Sequence, residues 1–174
     1  MGWPVTCTSA IWRPSISECI RSGLVHHPQA ANERRMPGST SPAKYVLIFD
    51  GGSRGNPGPS YGSFSLHRAG GARSRPQRRS FGPGTNNEAE YRALIAGLQS
   101  LLAILEAEAL PPTRVALEVR GDSQLVLSQL EGVWKTKEPR LRELRQEAEN
   151  LLDRFASVHY RHQPRARSVA VLGH

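Results

Sequence analysis

The chain has 174 residues, 23 Lys and Arg against 15 Asp and Glu, and a formal net charge of +8. That length suits one domain with its own core, while two cysteines, Cys7 and Cys19, exclude a disulfide framework and match no zinc spacing. No apolar run approaches the ~20 residues that cross a bilayer, so no membrane partner is expected, and free thiols fit a reducing cytoplasm.

Residues 1–43 carry Pro4, Pro14, Pro28, Pro37 and Pro42 without sustained periodicity, which predicts a disordered or loosely attached extension. Met36 lies just before regular patterning begins, and we expect the first 35 residues to lie outside the folded domain. Tyr45-Val46-Leu47-Ile48-Phe49 has the length and composition of a buried central strand. The turn-forming run from Gly51 to Pro59 leads to a second strand over 61–67. A third over 72–81 is expected at a sheet edge because of Pro76. Thr85 and Glu88 form a capping box, opening a helix to about Ala109 with Leu94, Leu98, Leu101 and Leu105 on one stripe. Val115–Arg120 reads as a fourth strand and Ser123–Leu130 as a short helix. A long helix over 138–155 and a fifth strand over 157–162 follow. The order βββαβααβ predicts an α/β (α+β) domain, a five-stranded mixed sheet flanked by helices, over residues 44–165.

Three acids fall where elements meet. Asp50 ends the first strand, Asp122 follows the fourth, and Glu90 sits one turn before Leu94, on the helix face that docks onto the sheet. Each has an ordinary alternative: Asp50 as the start of a turn, Asp122 as a helix N-cap. Glu88 is occupied by the capping box, which leaves Glu90 without a structural duty. Carboxylates that converge without basic partners persist together mainly around a divalent cation. On a basic chain this points to metal-assisted cleavage of a polyanion, although a merely basic surface would carry the same net charge. Arg68, Arg73, Arg75, Arg78 and Arg79 crowd one hairpin, and Lys135, Lys137, Arg140, Arg142 and Arg145 a later loop and helix.

The segments Asp50-Gly51-Gly52-Ser53-Arg54-Gly55-Asn56-Pro57-Gly58-Pro59, Thr85-Asn86-Asn87-Glu88-Ala89-Glu90-Tyr91 and Gly121-Asp122-Ser123-Gln124 strongly resemble ribonuclease H type 1. The resemblance covers Lys44 to about Arg165, and Gly132-Val133-Trp134-Lys135-Thr136-Lys137-Glu138-Pro139 looks like the bacterial and archaeal branch without a basic handle. It implies that Asp50, Glu90 and Asp122 are catalytic and ligate two Mg²⁺ or Mn²⁺ ions. It implies cutting of the RNA strand of an RNA–DNA hybrid, leaving 5′-phosphate and 3′-hydroxyl ends. The backbone at Gly51 and Gly52, with Asn56, Asn86, Asn87 and Gln124, would line the minor groove, where the 2′-hydroxyl distinguishes RNA. Taken alone, Asn56 would be a turn residue and Asn86 and Asn87 helix-capping residues.

The C-terminus departs from the family. His162-Gln163-Pro164-Arg165 fits its Pro-Arg turn, but residues 166–174 lack the acid that the family places on a final helix; Val171 is the nearest position. We therefore expect the final helix to be missing or disrupted, residues 166–174 to be irregular, apolar surface beside the fifth strand to be exposed, and activity to be reduced, lost or dependent on Mn²⁺. His174 is expected to be a frayed end rather than a ligand. Both ends together suggest a mis-started and frame-disrupted or truncated reading of an ordinary enzyme gene. The rival function is a catalytically silent RNA–DNA hybrid or double-stranded RNA binding module. A monomer is expected, and nothing in the sequence marks a protein partner.

Overall fold

The computed structural model describes residues 41–173. Residues 1–40, which hold Cys7, Cys19 and Met36, and the terminal His174 lie outside the described residues. The first strand, β1 (Ala43–Ser53), outruns the apolar stretch because pairing with β2 (Gly58–Arg68) continues through Asp50 to Ser53. The third strand, β3, spans Gln77–Gly84, starting after Pro76 rather than at Ala72. Proline has no N–H for a ladder, so the strand begins one residue past it, at the sheet edge. With β4 (Val115–Gly121) and β5 (Ser157–His162) the order is β3-β2-β1-β4-β5. The β1–β2 and β2–β3 pairs are antiparallel, and β1–β4 and β4–β5 parallel, as a mixed sheet requires.

Alternation along β1 divides its side chains between two faces. Tyr45, Leu47 and Phe49 enter the main core with Leu94, Leu98, Leu101 and Leu105 of helix α1 (Asn86–Ala107) and with Val115, Leu117 and Val119 of β4. The capping box forms as the sequence requires: Thr85 Oγ1 accepts from the Glu88 N–H at 3.2 Å, and Glu88 Oε2 accepts from the Thr85 N–H at 2.7 Å. Those bonds hold the Glu88 carboxyl below its usual pKa and confirm its structural role. Two further helices, α2 (Gln124–Leu130) and α3 (Pro139–Leu152), follow β4. No helix among the described residues is long and apolar enough to cross a membrane.

The C-terminus corrects the expectation of a missing final helix and an irregular tail. Helix α4 spans Arg165–Leu172 and ends at Gly173, whose φ of 73° closes the last turn. Its Leu172 is 2% exposed and packs with Val171 on Val46 and Ile48, the apolar residues of the second β1 face. Two turns suffice to cover that face of β1, because only two of its apolar side chains need a lid. Leu172→Ala is expected to cost about 2–3 kcal/mol and lower the melting temperature by about 10 °C, measured by calorimetry.

Candidate active site

Parallel pairing sets Ile48 of β1 opposite Arg120 of β4, so the C-terminal ends of the two central strands lie side by side. Asp50 and Asp122 stand at those ends, the usual ligand position of a parallel sheet. Glu90 comes from the first turns of α1, brought close by Gly51. A Cβ built on Gly51 would lie 2.4 Å from the carbonyl carbon of Ala89 and 2.5 Å from the amide nitrogen of Glu90. Only glycine lets the helix approach β1 so closely. One carboxylate oxygen from each of Asp50, Glu90 and Asp122 lies within 4.8 Å of the others. The structure therefore brings together the three acids that the sequence singles out.

The neighbours of Asp122 exclude its alternative reading. The N-cap of α2 is Ser123, whose side chain accepts from the Val126 N–H, so Asp122 has no capping duty. Burial pushes the Glu90 carboxyl up to about 7, with Asp122 and Asp50 adding repulsion; a hydrogen bond with Ser123 and the charge of Arg165 oppose the rise. Asp122 is raised as well, first by burial and then by Asp50. Glu90 Oε2 and Asp122 Oδ1 are buried and accept no hydrogen bond. Acceptors stranded in this way are costly, and a hard divalent cation is what an all-oxygen donor set of this kind accommodates. The residues present fit such an ion.

Among the described residues no fourth acid joins the cluster. Instead α4 presents Arg165, whose Nη1 lies 3.5 Å from Asp122 Oδ2, and His162 Nε2 lies 3.2 Å from the Asp122 carbonyl oxygen. Arg165, His162 and Ser123 are site residues that the sequence did not single out. The signal for Arg165 was its place in the Pro164-Arg165 turn, but a guanidinium is not sought where a carboxylate is missing. Arg165→Ala is expected to tighten Mn²⁺ binding about twofold, by calorimetric titration, since an exposed guanidinium contributes only ~0.5 kcal/mol at a carboxylate.

Among the other candidates, Gly51 is buried beneath α1, where its missing side chain lets the helix pack on β1. Gly52 and Asn87 are half-buried, while Asn56, Asn86 and Gln124 are exposed. Asn56 Oδ1 accepts from the Asn86 N–H at 3.1 Å, and Asn86 Oδ1 accepts from the Ser53 N–H at 2.7 Å. These two amides latch the β1–β2 loop to the start of α1. Gln124 Nε2 donates to Ser128 Oγ at 2.8 Å.

Residues 76–171 match the family described as Reverse transcriptase-like. Among solved structures, the N-terminal RNase H domain of a Mycobacterium tuberculosis protein superposes with a TM-score of 0.65 at 36% identity, over 74% of this chain and 92% of that one. The chain belongs to the ribonuclease H type 1 family. Ribonuclease HI of Halobacterium salinarum is 42% identical over 118 residues, 68% of this chain and 55% of that protein. LC11-RNase H1, solved in complex with an RNA/DNA hybrid, superposes with a TM-score of 0.66 at 32% identity, over 73% of this chain and 90% of that one. In sequence the M. tuberculosis protein, called bifunctional, is 40% identical over 126 residues, 72% of this chain and 32% of that protein. The ribonuclease H type 1 match thus spans about a third to about half of these curated relatives, 32% and 55%.

Proposed function

We propose that this chain is a divalent-metal-dependent endonuclease that hydrolyses the RNA strand of RNA–DNA hybrids. The observation that carries the proposal is the convergence of Asp50, Glu90 and Asp122 within 4.8 Å on a chain of net charge +8. Mg²⁺ or Mn²⁺, bound as a pair, would neutralise the scissile phosphate and activate water for in-line displacement. The chain's own residues set up that chemistry. Asp50 and Asp122, fixed by adjacent parallel strands, form a rigid floor, and Glu90 closes it from α1. Gly52, Asn56, Asn86, Asn87 and Gln124 would offer backbone and amide groups to a ribose 2′-hydroxyl, the group that separates RNA from DNA. A family relative solved with an RNA/DNA hybrid supports this substrate.

One observation favours a second reading. With no fourth acid at the cluster among the described residues and with Arg165 set against Asp122, the site has less negative charge to retain cations, as a silent hybrid binder would. A gel assay with end-labelled hybrid in Mg²⁺ or Mn²⁺ separates the two. Metal-dependent cutting of the RNA strand, lost in Asp50→Asn, supports the nuclease; binding without cutting in either metal refutes it in favour of the binder.

A further inference from the structure

We propose that a cleft on the β2–β3 side of the acidic cluster is a second substrate subsite, which takes a backbone phosphate of the hybrid flanking the scissile bond. The inference rests on the hybrid-nuclease reading and extends it to a surface that the three acids do not define. The cleft measures about 400 Å³ and is lined by Arg54, Pro59, Ser60, Tyr61, Arg78 and Ser80, together with Gly62. Two guanidiniums and an aromatic ring line it, and no acid does.

Register fixes its relation to the catalytic centre. Asp50 pairs with Ser63, and Ser63 with Arg78; Gly52 pairs with Tyr61, and Tyr61 with Ser80. Directly paired residues share a face, so Arg78 and Tyr61 open on the same side of the sheet as Asp50. Arg78 stands two strands from Asp50, roughly 10 Å at about 4.8 Å per strand, or about three base steps of duplex rise at 3.4 Å each. A hybrid seated on the acids therefore carries a flanking phosphate past this cleft.

The two arginines spring from fixed points. The Arg54 N–H donates to the Pro59 carbonyl at 3.0 Å. The turn between them is closed so tightly that a Cβ on Gly58 would lie 2.1 Å from the Arg54 carbonyl oxygen. Arg78 donates through Nη2 to the carbonyl of Gly173, at the end of α4. Tyr61, 38% exposed, stands beside Gly52 at the mouth of the cleft. Arginine offers a phosphate two parallel donors, and an adjacent aromatic face packs against the sugar or base.

The test measures hybrid binding by fluorescence anisotropy in EDTA across a salt series, for the full chain and for Arg54→Ala, Tyr61→Ala and Tyr61→Phe. Arg154→Ala, remote from the cleft, serves as the control. Arg54→Ala is expected to weaken binding about three- to tenfold at low salt and to reduce the salt slope by about one. Its melting temperature should stay unchanged. Tyr61→Ala should weaken binding and Tyr61→Phe retain it. If Arg54→Ala and Tyr61→Ala match the control while the unmodified chain cuts hybrid, the subsite is refuted and the nuclease reading stands. If the unmodified chain neither binds nor cuts hybrid, both are refuted.

Discussion

Glu90→Gln is expected to lower metal-dependent cleavage by about a thousandfold and at the same time stabilise the metal-free protein at neutral pH. The two effects have one cause. Burial and the charges of Asp122 and Asp50 raise the Glu90 carboxyl from 4.5 to about 7. In the unfolded chain it ionises near its ordinary value. Between those two values the folded state holds more protons, so stability falls as pH rises through that interval and levels off above it. A shift of this size would correspond to about 3 kcal/mol, and residual hydration at the mouth of the site reduces it to ~1–2 kcal/mol. Glutamine keeps the shape without the charge. Thermal melts in EDTA should therefore agree near pH 4.5 and diverge by about 5 °C at pH 7.5, with the variant higher. Mn²⁺ at pH 7.5 should raise the melting point of the unmodified chain and leave Glu90→Gln nearly unmoved. A variant that melts lower than the unmodified chain at pH 7.5 would show that Glu90 is a structural acid with a favourable partner.

The site was legible because its acids interrupt patterns that have simple physical causes. Alternation along β1 and the stripe along α1 specify a core, and a carboxylate in phase with either must be compensated. The capping box accounts for Glu88 and so isolates Glu90; the structure adds that Ser123 caps α2 and so isolates Asp122. Gly51 was legible as a turn former and, by resemblance, as groove-lining backbone, but not as a packing residue, since sequence carries no measure of how closely a helix approaches the strand beside it. Arg165 was hidden for a similar reason: the proximity of α4 to Asp122 depends on how far that helix extends.

Helix α4 shows the same limit from the energetic side. Its eight residues, Arg165–Leu172, include neither an acid in the first turn nor a base in the last, and so isolated a helix is marginal on propensity alone. Its stability comes from tertiary burial of Leu172 on Val46 and Ile48. The expectation from sequence was exposed apolar surface beside the fifth strand, whereas the face that α4 covers is that of Val46 and Ile48 on β1. A helix of two turns proves sufficient because Ser65, paired with Ile48, and Asp50 and Ser63, farther along the same face, are polar.

Gly51→Ala should be strongly destabilising, and its effect on metal binding should exceed that of any equally destabilising change elsewhere. The added methyl would meet backbone atoms of Ala89 and Glu90 at 2.4–2.5 Å. Backbone in the first turns of a capped helix cannot rotate away as a side chain can, so α1 must lift as a unit. Overpacking of this kind costs about 3 kcal/mol or more, a fall of about 10 °C in melting temperature. Lifting α1 also carries Glu90 away from Asp50 and Asp122, and opens the latch between Asn56, Asn86 and Ser53. Gly52→Ala is the internal comparison: its methyl meets only the Tyr61 side chain, at 3.2 Å, and should cost under about 1 kcal/mol. Mn²⁺ titration of both variants and of Leu172→Ala, which destabilises a different face by a similar amount, separates geometry from stability. At a temperature where all three are folded, Gly51→Ala should bind Mn²⁺ at least about tenfold more weakly, a loss of ~1.4 kcal/mol, while Gly52→Ala and Leu172→Ala bind normally. Equal affinity in all three would mean that the acids find one another without the close packing of α1 on β1.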